Sequence, residues 1–304
     1  MALFERIIGI ILPVVLITLA GYVYARLRPD TVRQDMTAVN RVTMDVLSPM
    51  LIFSALAGKE FDLAHNLTLF LAGAAISLGS ALLAWPLGRL FGYDARTFVP
   101  PMMFNNCGNM GLPLAVFAFG ASGLPSAVAL FTAGILVYFS VGITVVESGR
   151  TDVHTPFLRL LASPIMVSII AGMLCSLARI SLPGPLLQAL RMLGETSIPI
   201  MLFALGVRMI DVSFRCWRIG LAGAVTCPLT GLAVAWLLER LLPLAARERG
   251  QMYLFAALPP AVFSFIVAEK YRQEPDKVAA IVLLGNLASL LFVPVGLWLG
   301  LRGG

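Results

Sequence analysis

Apolar runs of about 20 residues, each ended by a short turn carrying charge or Gly and Pro, follow one another along nearly the whole chain. A run of that length is what a helix needs to cross the hydrocarbon core of a bilayer. Inside lipid the backbone must satisfy its own hydrogen bonds, so only helices or a closed barrel can span. The runs are continuous rather than alternating, which selects helices. Ten spans are predicted, at 7–25, 38–57, 67–88, 98–119, 124–146, 156–178, 185–207, 216–240, 251–269 and 278–300. Composition agrees: 59% of the 304 residues are hydrophobic, 12% are charged and the mean hydropathy is +0.90. A water-soluble domain carries about 25% charged residues, so the chain is read as an all-α polytopic membrane protein.

The charges orient it. A net charge of +6 and a pI near 9.5 are compatible with nucleic acid, but retention of Lys and Arg on the cytoplasmic side explains them, and no nucleic-acid partner is inferred. Loops after the odd-numbered spans, with their flanks, hold 14 of the 22 Lys and Arg residues, from Arg26, Arg28 and Arg33 to Lys270, Arg272 and Lys277. That side is expected to be cytoplasmic, which puts both termini outside. Arg6 before an apolar run imitates a signal peptide, yet the run from Ile7 to Ala25 is long for one and lacks a cleavage site, so it is read as the first span. His65 and His154 fall in expected loops, and no HExxH or Cys/His cluster is present, so neither a metal nor a cofactor is expected. Cys107, Cys175, Cys216 and Cys227 show no CxxC spacing and read as small apolar residues.

The chain also repeats itself. Pro13 and Pro164, Trp85 and Trp236, and Gly134 and Gly285 are each 151 residues apart. Asp45, Pro49 and Phe53 recur 150 residues on as Glu195, Pro199 and Phe203, and Pro113 and Pro259 are 146 apart. A shared offset across several spans points to duplication: residues 1–147 form a first five-helix repeat, 156–304 a second, and 148–155 a short cytoplasmic linker. With an odd number of helices per half, the second half enters the membrane from the opposite side, so the repeats are inverted. Inverted repeats with interrupted helices are the build of secondary transporters, with the site near the midplane where the interruptions face each other.

Two spans carry such interruptions. "FNNCGNMGLPLAVF" (104–117) sets Asn105, Asn106 and Asn109 beside Pro113, and "ALPPAVFSF" (257–265) holds Pro259, Pro260 and Ser264. A proline inside a helix removes a backbone bond at a cost of about 3 kcal/mol, and in a bilayer the freed groups need protein, water or ligand as partners. An unwound point is predicted at about 108–113, beyond which a half-helix would offer free N–H groups and partial positive charge to an anion. Asn amides add donors without a countercharge. These seven residues are the candidate substrate-binding set, against the plainer reading that the prolines only kink helices for packing.

Asp45 and Glu195 are the acidic residues well inside predicted spans. One reading makes them proton-coupling groups, since acids at membrane depth usually face a cavity or a proton path. The other pairs each with an arginine four residues earlier, Asp45 with Arg41 and Glu195 with Arg191. "GRLFG" (88–92) and "GLWLG" (296–300) match the GxxxG close-packing pattern, which fits internal packing better than a homodimer contact, though a homodimer stays open.

Span four, with Asn106, Met110, Gly111, Pro113 and Gly120, resembles the N-x-x-x-M-G-x-P crossover of the auxin efflux carrier family, which includes the plant PIN carriers. "LPPAVFSFIVAEKYRQEPDKVAAIVLLGNL" (258–287) resembles that family's ninth and tenth helices through Leu258, Pro259, Phe265, Ala268, Tyr271, Pro275, Asp276 and Gly285. "VNR" (39–41) before Pro49 is similar to its second helix, so the resemblance covers nearly the whole chain. It implies ten transmembrane helices in two inverted repeats with broken helices four and nine crossing, a fold similar to bile-acid/sodium symporters, and transport of organic anions. By the same resemblance Asn106 would be the ligand of the substrate carboxylate, with Pro113 and Pro259 at the crossover. Asn105 stands where plant carriers have proline, and their long hydrophilic loop is absent. The compact form resembles bacterial members, which implies a bacterial inner membrane and dicarboxylates such as malate or malonate in place of auxin.

The function expected is secondary transport of a small organic anion by alternating access, with the lipid bilayer as surroundings. A sodium-coupled symporter is the alternative within transport, since Asn and Ser oxygens at the breaks could be cation ligands. A non-transporting sensor or a subunit of a membrane complex is a further alternative. No Walker A, GxSxG or HExxH pattern is visible, so neither ATP coupling nor an intramembrane enzyme is expected.

Overall fold

The computed structural model describes residues 2–29, 31–58, 63–148, 162–211 and 216–302. Span one is α1 (Ala2–Leu27). Span two is α2 (Val32–Val42) and α3 (Ser48–Leu56), continuous through a π-helical turn at Thr43–Leu47. Next come α4 (Leu63–Leu90), then α5 (Ala95–Met103) and α6 (Leu112–Phe119) for span four, and α7 (Leu124–Val137) and α8 (Ile143–Glu147) for span five. The second half gives α9 (Pro164–Leu177), α10 (Gly184–Arg208), α11 (Trp217–Leu241), α12 (Ala246–Ala256), α13 (Phe263–Lys270) and α14 (Pro275–Leu301). Among the described residues, the helices of spans one, three, five, seven, eight and ten are long and apolar enough to cross a membrane. Spans two, four, six and nine fall on shorter pieces. His65, expected in a loop, belongs to the first turn of α4, because the apolar run of that helix extends further toward the N-terminus than its hydropathy core. Most of the 148–155 linker, His154 and the start of the 156–178 span lie outside the described residues.

Helix ends follow local chemistry. Asp94 caps α5 by accepting from Arg96 N (2.9 Å), and Ser163 caps α9 by accepting from Met166 N (3.3 Å). Glu248 reaches back from the first turn of α12 to the Ala245 N–H (2.9 Å).

The helices sort into two packed groups. In one, α1 lies along α10 and α3 packs on both α9 and α10. The α1–α10 contact is backbone against backbone: a Cβ on Gly206 would lie 1.8 Å from the Thr18 carbonyl oxygen. In the other, α14 lies along α11 and α12, and α4 packs on α5, α7 and α11. Contacts between the groups are sparser, running from α1 to α6 and α14, from α3 to α7 and from α10 to α6. Each half of the chain thus gives its first two expected spans to one group and its last three to the other. Of the GxxxG matches, Gly296 and Gly300 lie inside the second group against Ala257 and Gly250, so that seam is internal packing.

Candidate substrate site at the paired helix breaks

Spans four and nine both stop being helical in mid-course. After Met103 the chain turns extended at Phe104 (φ −128°, ψ 99°) and passes through Asn106 (φ −71°, ψ 51°). After Ala256 it stays out of helix until Phe263. The interruptions run antiparallel and side by side. Asn106 N donates to Pro259 O (2.7 Å) and Ala261 N donates to Phe104 O (2.8 Å), an isolated bridge centred on Asn105 and Pro260. Backbone groups that either break would strand in lipid therefore satisfy each other. Pro260 sits between the two bonds, where no donor is required of it, and Pro259 contributes only its carbonyl. Glycine is needed opposite: a Cβ on Gly285 of α14 would meet Pro260 Cδ at 2.6 Å.

The break lies upstream of the predicted 108–113. Residues Cys107–Gly111 form a π-helical turn in which Met110 N and Gly111 N both donate to Asn106 O (3.1 and 3.0 Å). Pro113 lies inside the helix that runs on from this turn to Phe119, just after the wide turn in which Leu112 N donates to Cys107 O, so the chain is helical on both sides of it and does not break there. It is buried but not among the residues lining the adjacent cavity.

The asparagines are tied in differently. Asn105 Nδ2 donates to Phe255 O (2.8 Å) and its Oδ1 accepts from Cys227 Sγ (3.3 Å). Asn286 of α14, which the sequence reading does not single out, commits its Nδ2 to Val282 O (2.7 Å) and so keeps Oδ1 as an acceptor. Asn106 Nδ2 donates to that oxygen (2.9 Å). Both amides are buried. Among the described residues nothing takes the second N–H or the Oδ1 of Asn106. Asn109 is half-buried and its side chain has no hydrogen-bond partner among the described residues.

A cavity of about 560 Å³ adjoins the break and takes Asn105, Asn106, Gly108 and Asn109 into its lining, with Val262 and Phe263 from the other interrupted span. Both half-helices begin here. Among the described residues, no acceptor takes the N–H groups of Gly108, Asn109, Val262 and Phe263. Met44, Ser48 and Met201 close the far side from the other helix group. Three π-helical turns, Thr43–Leu47, Cys107–Gly111 and Tyr138–Gly142, each supply lining residues, and such turns recur at functional sites. One wall is aromatic: Phe104 stacks on Tyr138 with ring centres 4.5 Å apart, and Phe263 meets Phe139 at 5.3 Å. Ser264 is buried outside the cavity lining with its hydroxyl toward Tyr138, whereas the Ser48 hydroxyl, in the lining, has no hydrogen-bond partner among the described residues.

Among the described lining residues the charged ones are Glu147 and Lys270, both at helix ends. Tyr271 Oη donates to Glu147 Oε1 (2.9 Å); burial first, and the carboxylate second, push the Tyr271 hydroxyl far above its ordinary value, so it remains a donor. Asp45 and Glu195 are exposed and outside the cavity lining, and no ion pair joins them to Arg41 or Arg191 among the described residues. Asn286 carried one signal in the sequence, a lone amide next to Gly285 in an otherwise apolar span; Glu147 and Lys270, at span ends, carried none.

Residues 6–297 match the family described as membrane transport protein. An uncharacterized transporter of Methanothermobacter thermautotrophicus is 24% identical over 296 residues, covering 94% of this chain and 95% of its own. An uncharacterized transporter of Methanocaldococcus jannaschii is 19% identical over 304 residues, covering 95% and 97%.

Proposed function

The chain belongs to the membrane transport protein family, the auxin efflux carriers of the sequence reading, and on that footing we propose that it is a secondary carrier of a small organic anion, most simply a carboxylate. The observation behind the proposal is the meeting of two half-helix N-termini at one cavity. A carboxylate there would accept from the free N–H groups of Gly108, Asn109, Val262 and Phe263 and from the amides of Asn106 and Asn109, within two favourable helix dipoles. Among the described residues no arginine lines the cavity and the one lysine, Lys270, is exposed at the end of its helix, so the described lining offers an anion dipoles rather than an ion pair. A carrier must also release, and dipolar donors hold an anion without trapping it.

Transport by alternating access is supported by the sparse seam between the helix groups, on which the cavity sits. Ten spans in two inverted five-helix repeats would account for the same two-to-three division of each half between the groups, the loop charges favour both termini outside, and the compact form favours a bacterial inner membrane. Sodium coupling is the second reading, favoured by the buried Ser48 hydroxyl in the cavity lining, which has no hydrogen-bond partner among the described residues.

The test is flux of mono- and dicarboxylates into proteoliposomes, with thermal shift of the purified protein as the binding readout. Flux of at least one carboxylate, lost together with its thermal shift in Asn106→Ala, is expected. A shift and flux untouched by that substitution would remove the site from the breaks, and binding without flux in any ion gradient would make the protein a sensor. Flux that requires sodium would establish the second reading.

A further inference from the structure

On the other side of the Asn106–Asn286 pair lies a second cavity, of about 520 Å³, cut between α1, α10 and α14. Its walls are apolar, and Leu19 of α1 and Leu287 and Leu290 of α14 are 50%, 47% and 55% exposed, so the groove opens sideways where the surroundings are hydrocarbon. At one end stand Tyr22 and Arg26. Arg26 Nε donates to Tyr22 Oη (3.0 Å), its guanidinium lies 5.5 Å from that ring, and it makes no ion pair among the described residues. This is the end of α1 that faces the side richer in Lys and Arg.

The dimensions fit a lipid tail. From Ile11 to Arg26 the α1 wall rises roughly 22 Å at ~1.5 Å per residue, against roughly 15 Å for half of a ~30 Å hydrocarbon core. An apolar groove open to the bilayer fills with hydrocarbon, because neither water nor a void is stable there. A guanidinium with no ion pair among the described residues, at the headgroup end and on the leaflet that basic residues mark as cytoplasmic, selects a negative head. We propose that this groove binds an acyl chain of an anionic phospholipid, with the phosphate on Arg26 and Tyr22 and the chain running along α1 and α14. The chain then lies against α14 where Asn286 holds Asn106, and it braces that amide pair from the lipid side.

The experiment compares the thermal unfolding midpoint of the full chain in nanodiscs of phosphatidylcholine alone and of phosphatidylcholine mixed with phosphatidylglycerol. A rise of several degrees with phosphatidylglycerol is expected, and it should be lost in Arg26→Gln and in Leu290→Trp, which fills the groove. Inorganic phosphate added to phosphatidylcholine discs should give no rise. No rise in the unaltered chain, or a full rise in both variants, overturns the proposal. So does a rise with inorganic phosphate, which would assign Arg26 to a soluble anion, and so does a rise that survives Leu290→Trp but not Arg26→Gln, which would leave a headgroup on the surface with no chain in the groove.

Discussion

At the scale of single residues, Asn286 decides how Asn106 meets a ligand. With one N–H committed to Val282, Asn286 turns its Oδ1 to Asn106 and accepts there, so Asn106 keeps Oδ1 and one N–H free among the described residues. Replacing Asn286 by Ala strands a buried amide and is expected to destabilise by about 1–3 kcal/mol, measured as a lower unfolding midpoint. It should also raise the half-saturating concentration of any transported carboxylate more than it lowers the maximal rate. Pro113 makes the opposite case: it sits just past the π-helical turn that accommodates it and away from the cavity lining, so Pro113→Ala is expected to shift stability by less than about 1 kcal/mol and to leave binding intact. Sequence alone exposed Asn105, Asn106, Pro259 and Pro260, because an amide or a missing donor in an apolar run has no bland neighbour to hide among. It did not expose the partner of each amide. Which of Asn106's atoms faces the cavity depends on α14, which crosses span four in space and is remote from it along the chain.

At the scale of elements, the two interrupted spans are held at their outer ends by a polar latch. Thr97 Oγ1 donates to Glu274 Oε2 (2.6 Å), Gln273 Nε2 donates to Thr97 Oγ1 (3.0 Å) and to Asp94 Oδ2 (3.3 Å), and Lys277 pairs with Glu274. The Arg96 side chain, by hydrogen bonding, holds the Asp94 carboxyl below its ordinary 3.8. Burial pushes Glu274 up, but hydrogen bonds from Lys277 and Thr97 outweigh it and leave the group below its ordinary 4.5. Both folded values lie under the unfolded ones, so the contribution is complete above pH 4.5 and drains away as pH falls below 3.8 toward the folded values. The difference in unfolding midpoint between the unaltered chain and Asp94→Asn is therefore expected at neutral pH and should narrow on acidification. Asn still caps a helix, so the comparison isolates the charge. A second element-scale expectation concerns α1 and α10. Gly206→Ala puts a methyl 1.8 Å from the Thr18 oxygen and should cost about 1–3 kcal/mol, read as a lower midpoint. Helix identity was legible throughout from hydropathy, whereas the place where span four unwinds was not. Pro113 drew attention to 108–113, while the π-helical turn at Cys107–Gly111 absorbs the proline and moves the break to Phe104–Asn106.

For the whole molecule, the division into two helix groups is what a moving carrier needs and what no hydropathy plot displays. Internal offsets of 150 and 151 residues hinted at duplication, but which spans share a group depends on contacts such as Gly206 against Thr18. Val14 on α1 and Leu114 on α6 are buried in one cluster across the seam. Replacing both with Cys and joining them, after removal of the native cysteines, is expected to stop flux and to leave thermal-shift binding in place, with flux restored by reduction. Flux that survives the crosslink would show that the groups need not part.

The bridge between the breaks also has a meaning during synthesis. Asn105 reaches Phe255 across 150 residues and Asn106 reaches Asn286 across 180, so the first interrupted span enters the membrane long before its partner exists. At ~5–20 residues per second that wait is on the order of 10–30 s. Throughout it the exposed amides and carbonyls of 104–106 must be sheltered by water in the insertion machinery or by a transient continuous helix. A nascent chain halted before Pro259 should therefore be a better client for membrane quality control than one halted after Asn286.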